Sequence, residues 1–228
     1  MFFQYMEKTA RSTRKSSRKS VDDGINKAYI TYLLTNGKRP PSVFKFCLDN
    51  GIKEDAFYNV AGSFDALEAV IWRGFLDKTV AALTADKEYQ SFKIRERILA
   101  FYFALLEELK ANRSFVLLTL DGRHRLEQVP VVLKAFKKSF EGYIESILKE
   151  GKASGEIASR PYLDKSYPQL FWLHMAFILF YWIKDSSAGF EHTDAAVEKS
   201  VNLAFDLIGK GAVDSAIDFA RFIYQSVK

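Results

Sequence analysis

Residues 25–67 read INKAYITYLLTNGKRPPSVFKFCLDNGIKEDAFYNVAGSFDAL, and that stretch holds three short helices. Ile25, Ala28, Tyr29, Tyr32 and Leu33 recur at the spacing of one helical face. Ser20 and Asp23 stand ahead of them at capping-box spacing. Asn36-Gly37 closes that helix, because these two residue types enter the left-handed stop most cheaply. Pro40-Pro41-Ser42 opens a second helix, with the Ser42 hydroxyl placed to accept from its free N–H groups. Gly51 ends it, and a third helix follows around Lys53–Ala61. A helix, a glycine-terminated helix, a short turn and a further helix make the outline of a helix-turn-helix.

The order of residues over roughly 20–80 resembles the N-terminal part of the TetR-type bacterial repressors. That family's pattern runs from a glycine-ended apolar helix to an Ile-Ala pair and Ala-Gly-Val. A Tyr-centred recognition helix, Ser-Lys-Glu and a Leu follow. The matching positions are Phe46-Cys47, Asn50-Gly51-Ile52, Phe57-Tyr58, Ser63, Asp65 and Leu67. The resemblance implies an all-α fold of about ten helices. A three-helix head over 20–66 would follow a basic tail, 1–19, and precede a ligand-binding and dimerisation body, 67–228. A linking helix, about 64–84, would join head to body. It also implies a homodimer through helices at about 169–184 and 194–209, presenting paired heads to a pseudo-palindromic operator in double-stranded DNA.

Carried over position by position, the family roles give Ser42 a phosphate, Lys53, Glu54 and Asn59 the groove, and Tyr58 the DNA backbone. Lys38 and Arg39, in the loop ahead of the second helix, would add phosphate contacts. Three departures weaken the grip. Asp55-Ala56 replaces the family's Gly-Thr or Gly-Ser, Ala61 its Phe, and Phe64 its phosphate-binding Lys. Between Ile25 and Leu67, Lys27, Lys38, Arg39, Lys45 and Lys53 face Asp49, Glu54, Asp55 and Asp65, a net charge of only +1. Glu54 and Asp55 suit a helix N-terminus, by about 0.3–1 kcal/mol each, yet repel phosphate. A carboxylate there can still accept from cytosine N4.

The overall charge of +5 is concentrated in the first twenty residues, where Lys8, Arg11, Arg14, Lys15, Arg18 and Lys19 face Glu7. This segment reads either as a solvated tail or as an arm whose Arg11, Arg14, Lys15, Arg18 and Lys19 supply the missing charge in the minor groove.

The rest of the chain keeps a helical rhythm with no alternation typical of strands. A fourth helix runs from Phe64 to about Leu83, and polar Ala85–Ser91 reads as a boundary loop. Helices follow at 92–112 and 126–150, the latter with Pro130 in a first-turn position and ended by Gly151 and Gly155. Between them lies a short apolar segment, Phe115–Leu120. Further helices are expected at 169–184, 194–209 and 212–226. The apolar run Leu170–Ile183 falls short of the roughly 20 residues a bilayer span needs, so it reads as a buried or interface helix. Apolar on nearly all sides, it needs cover, and the alanine-bearing helix after it permits close approach.

Aromatics make up 15% of the chain, high enough to favour either a cavity or a densely packed core. Phe101, Tyr102, Phe136, Phe140, Phe171, Trp172, His174 and Phe177 are the candidates to line a pocket for an apolar small-molecule effector. Single Cys47 forms no internal disulfide, and no signal-peptide pattern is present, which points to a reducing cytoplasm. His124, His174 and His192 are scattered without metal-ligand spacing, and no phosphate loop or nucleophile elbow occurs. No cofactor, metal or enzymatic activity is expected. Two functions fit: a dimeric, ligand-modulated transcriptional regulator, or a TetR-fold lipid- or isoprenoid-binding accessory protein acting at a membrane surface without DNA.

Overall fold

The computed structural model describes residues 21–120, 129–160 and 162–209. These residues form ten α-helices and two short 3-10 turns, with no strand among them. The expected tail, 1–19, the Ser20 cap and the helix 212–226 lie outside them.

The first helix, α1, covers 21–36 and buries Ile25, Tyr29 and Leu33 as one stripe. Ser42 then starts α2, Val43–Asp49, by accepting from the Lys45 N–H at 3.1 Å. Gly51, at φ +64°, turns the chain where a side chain would be strained. Helix α3, Glu54–Val60, follows, and Ser63 caps α4, Phe64–Ala85, through the Ala66 N–H at 3.2 Å. Rings hold this unit together. Phe46 meets Phe57 and Phe64 edge-on, with centroids 6.1 and 5.9 Å away, and Tyr29 stacks on Phe64 at 5.3 Å. Phe64, the departure at the phosphate-binding lysine position, is therefore half-buried and packed against the core of the head.

Helix α4 belongs to two neighbourhoods. Its first turns bury Leu67 and Glu68 beside α1. Farther along, Trp72 packs edge-on against Phe136 at 5.8 Å and donates to Thr119 Oγ1 at 3.1 Å. One continuous apolar core consequently runs from Ile25 to Ile208. In the body, α6 (Ile94–Ala111) and α8 (Lys134–Ser154) pack against α4, α9 (Tyr167–Lys184) packs on α8, and α10 (Glu191–Ile208) packs on α6 and α9.

Several boundaries depart from expectation. The loop expected at Ala85–Ser91 holds a helix, α5 (Lys87–Ser91), started by Asp86 accepting from the Glu88 N–H at 2.8 Å. Phe115–Leu120 lies in α7, Arg113–Leu120. Pro130 precedes a 3-10 turn, Val131–Leu133, and α8 begins only at Lys134. Gly151 does not end α8. It is buried inside the helix, and the stop is Gly155 at φ +79°. Helix α10 starts three residues earlier than expected, after Gly189 and Phe190, both at positive φ. Asp185 fixes that corner by accepting from the backbone and hydroxyls of Thr193 and Ser187 at 2.7–2.9 Å. Those donors, the Thr193 hydroxyl first, hold its carboxyl well below the usual carboxylate range.

Candidate nucleic-acid interface and body cavities

On α2, burial of Phe46 and Cys47 leaves two exposed flanks. One carries the ion pair Lys45–Asp49. The other carries Phe44 and Leu48, one turn apart and 62% and 66% exposed. Phe46 meets the rings of Tyr29 on α1, Phe57 on α3 and Phe64 on α4, and Cys47 is buried beside it. Burial and then the Glu54 carboxylate raise the Cys47 thiol, and partial desolvation and then Glu54 raise the Tyr58 hydroxyl. On α3, Phe57 is buried while Glu54, Asp55, Tyr58 and Asn59 are exposed.

The expected contact residues divide. Lys38, Lys53, Glu54, Tyr58 and Asn59 are exposed, and Lys53 stands at the N-terminal end of α3. Ser42 is exposed, with its hydroxyl already accepting from Lys45. Arg39 turns inward. Its Nε donates to Glu68 Oε1 at 2.8 Å, and its Nη2 reaches Glu68 Oε2 and Asp65 Oδ1 at 2.6 Å each. Glu68 is 2% exposed and also accepts from the Tyr29 hydroxyl at 2.7 Å. The Glu68 hydrogen bonds raise the Arg39 guanidinium, while burial raises the Tyr29 hydroxyl. Glu68 carries no motif signal, and nothing but its spacing on α4 could have marked it. Arg11, Arg14, Lys15, Arg18 and Lys19 lie outside the described residues.

In the body, the eight aromatic candidates fall into three groups. Phe101, Tyr102, Phe136, Phe140 and Trp172 are at most 5% exposed and pack ring on ring, with Phe140 reaching Phe101 at 5.8 Å and Trp172 at 5.9 Å. Phe177 is 48% exposed on another face of α9, beside Tyr181. Phe171 and His174 do line a cavity of about 350 Å³, together with Tyr167, Leu170, Ala204 and Leu207. His174, which looks isolated in sequence, joins Tyr102 at 2.9 Å through Nδ1 and Ser200 at 2.7 Å through Nε2. Burial lowers its pKa to about 4. A second, more open groove of about 490 Å³ lies between α4 and α8, lined among others by Leu76, Val80, Ala81, Thr84, Ser139 and Tyr143.

Helices α9 and α10 share an exposed apolar face. Leu170, Leu173, Phe177 and Tyr181 follow one stripe on α9, and Leu203 and Leu207 stand on α10. No group of side chains among the described residues has the makings of a metal site. No helix among them is long and apolar enough to cross a membrane.

Residues 97–223 match the family described as Tetracyclin repressor-like, C-terminal domain. The fold is similar to a solved structure assigned to the TetR family of transcriptional regulators from Syntrophomonas wolfei. The TM-score is 0.64 at 14% identity, over 82% of this chain and 95% of that one. A TetR transcriptional regulator from Nitrosomonas europaea aligns with a TM-score of 0.56 at 12% identity, over 80% and 96%. A protein of unknown function from Rhodococcus sp. RHA1 aligns equally well, at 16% identity, over 83% and 96%. No curated protein matches the sequence.

Proposed function

Because this chain belongs to the tetracycline-repressor-like (TetR) family, we propose that it is a one-component transcriptional regulator. In this reading a dimer holds operator DNA with two helix-turn-helix heads, and an apolar small molecule in the body changes that grip. TetR-family regulators bind operator DNA, dimerise and bind small-molecule effectors.

One observation carries the reading: a single 22-residue helix, α4, is packed into both head and body. Glu68 ties it to Tyr29 and Arg39, and Trp72 ties it to Thr119 and Phe136. A shift of α4 in the body therefore moves the head as a unit. The groove between α4 and α8 is the better effector site, because a ligand there touches α4 directly. Such a ligand acts only by preferring one position of α4 over the other. Its occupant is mainly apolar, with a polar group near Ser139 or Tyr143.

Dimerisation is supported by the exposed stripe of α9 and α10, too apolar to remain in water. The basic tail supplements a head whose charge is only +1, and Arg39 is used internally. Mobility shift of the full chain with the DNA upstream of its own gene tests the proposal. A specific, salt-sensitive shift at low micromolar protein supports it, and its absence refutes it.

The apolar Phe44–Leu48 flank and the weak head charge favour a second reading, a lipid-binding accessory protein at a membrane surface. Flotation with anionic vesicles, and mass spectrometry of co-purified acyl or isoprenoid species, separate the two. Recovery free of lipid and vesicles removes this second reading.

A further inference from the structure

The cavity of about 350 Å³ lies between the first half of α9 and the end of α10, and no residue of α4 or α8 lines it. Its size falls in the range of small-molecule sites, ~300–1,000 Å³. Leu163, Leu170 and Leu207, each roughly half exposed, stand at its mouth, while Tyr167, Phe171 and Ile208 are buried. The polar groups on its wall are engaged elsewhere, with one exception. His174 uses both ring nitrogens, Nδ1 on Tyr102 and Nε2 on Ser200. Arg160 donates through Nη1 to the Leu207 and Ile208 carbonyls at 3.2 and 3.1 Å, and through Nη2 to the Gly209 carbonyl at 2.8 Å. Tyr167 is the exception. Its hydroxyl accepts from Arg160 at 3.2 Å, and among the described residues nothing accepts its own proton, although the side chain is only 4% exposed. Burying a hydroxyl without an acceptor is costly, and a ligand that supplies one relieves the cost.

We propose that this cavity binds an uncharged, mainly apolar small molecule carrying one hydrogen-bond acceptor, which takes the Tyr167 proton. An uncharged ligand suits a wall of leucine, phenylalanine and alanine side chains whose one guanidinium is already engaged. The site is distinct from the groove on α4, and it stands whether or not the head binds DNA.

Benzophenone, two rings about one carbonyl, is the probe, because irradiation attaches it to neighbouring C–H bonds. Labelling of the full-length chain should saturate and fall in peptides containing 163–174 and 204–208. The hydrocarbon isostere, with a methylene group in place of the carbonyl oxygen, is titrated as a competitor. Tyr167→Phe should weaken benzophenone about fivefold, the equivalent of one net hydrogen bond, and leave the hydrocarbon unchanged. Ala204→Leu, which fills the cavity, should abolish binding of both. Thermal unfolding checks that each variant is folded. Leu170 and Leu207 also belong to the exposed face of α9 and α10, so the titrations are repeated on Leu173→Glu with Phe177→Glu, neither of which lines the cavity. A second copy over the mouth then hides nothing. Four results overturn the inference: no saturable labelling in either form, label confined to the α4–α8 groove or another face, equal losses of ketone and hydrocarbon in Tyr167→Phe, or undiminished binding in Ala204→Leu.

Discussion

Arg39 and Glu68 form a two-pronged pair, with Nε to Oε1 at 2.8 Å and Nη2 to Oε2 at 2.6 Å, which clamps the loop ahead of α2 to the linking helix. The carboxylate is 2% exposed, and the guanidinium is about one-third exposed. Removing one partner leaves the other charge poorly matched. Arg39→Ala should lower unfolding stability by about 2 kcal/mol, below the usual cost for a fully buried pair because water reaches one side. Arg39→Met with Glu68→Leu and Tyr29→Phe should recover most of that loss, since the desolvation cost vanishes with the charges and no buried hydroxyl is left without its acceptor. Denaturant midpoints, with unchanged slope, measure both. Equal losses in the single and triple variants would contradict the clamp.

Gly151 shows how a glycine can mislead. Its place in α8 is set by close approach rather than by a turn. A Cβ there would stand 2.7 Å from Ile157 Cδ1 and 3.0 Å from Ile94 Cγ1. Gly151→Ala gains helix propensity, worth up to about 1 kcal/mol, but overpacks the contact by about 1–3 kcal/mol. Net destabilisation is expected, with Gly151→Ala plus Ile157→Val recovering part of it. A thermal midpoint at or above the parent's would contradict the contact.

His174 gives the body a pH dependence. Burial lowers its folded pKa to about 4, below the ordinary value of 6.5. Above pH 6.5 both folded and unfolded forms are neutral, and the residue adds no pH slope. As pH falls from 6.5 to about 4, the unfolded chain takes up the proton first and stability drops. The loss over that window is of order 2–3 kcal/mol. His174→Gln should flatten that part of the stability profile while keeping a hydrogen bond to Tyr102 or Ser200. An unchanged slope would place the titration elsewhere.

The stripe of Leu173 and Phe177 on α9, both about half-exposed, should lie at the centre of the dimer. Leu173→Glu with Phe177→Glu places two carboxylates per chain in that contact, opposite their own copies. Sedimentation should then report a monomer with retained helicity. A persistent dimer would place the interface on another face.

The head was legible because its signals are local. Ser42 and Ser63 bond to the N–H three residues on, and Gly51 takes the left-handed turn, so each feature is decided within four residues. The Phe57 and Phe64 positions follow from the same short pattern. In the body the helices were readable by periodicity, but their meeting points were not. Whether Phe101 and Phe140 line a cavity or fill it depends on α8 and α9 arriving together, which no window of sequence contains. Ser200 as a partner of His174, 26 residues away, is invisible for the same reason. Gly151 carried a true signal of special backbone need, and the sequence could not say whether the need was a turn or a close contact.

The central claim is that paired heads carried on α4 read an operator. Footprinting of the full-length protein on the DNA upstream of its own gene tests it most directly. The account predicts two protected major-groove patches on one face of the duplex, with centres one helical turn or a small multiple of it apart, about 34–36 Å per turn. The protection should fade as salt rises and return as salt is lowered. Uniform or absent protection, at concentrations where the protein is dimeric and at low salt, would contradict it.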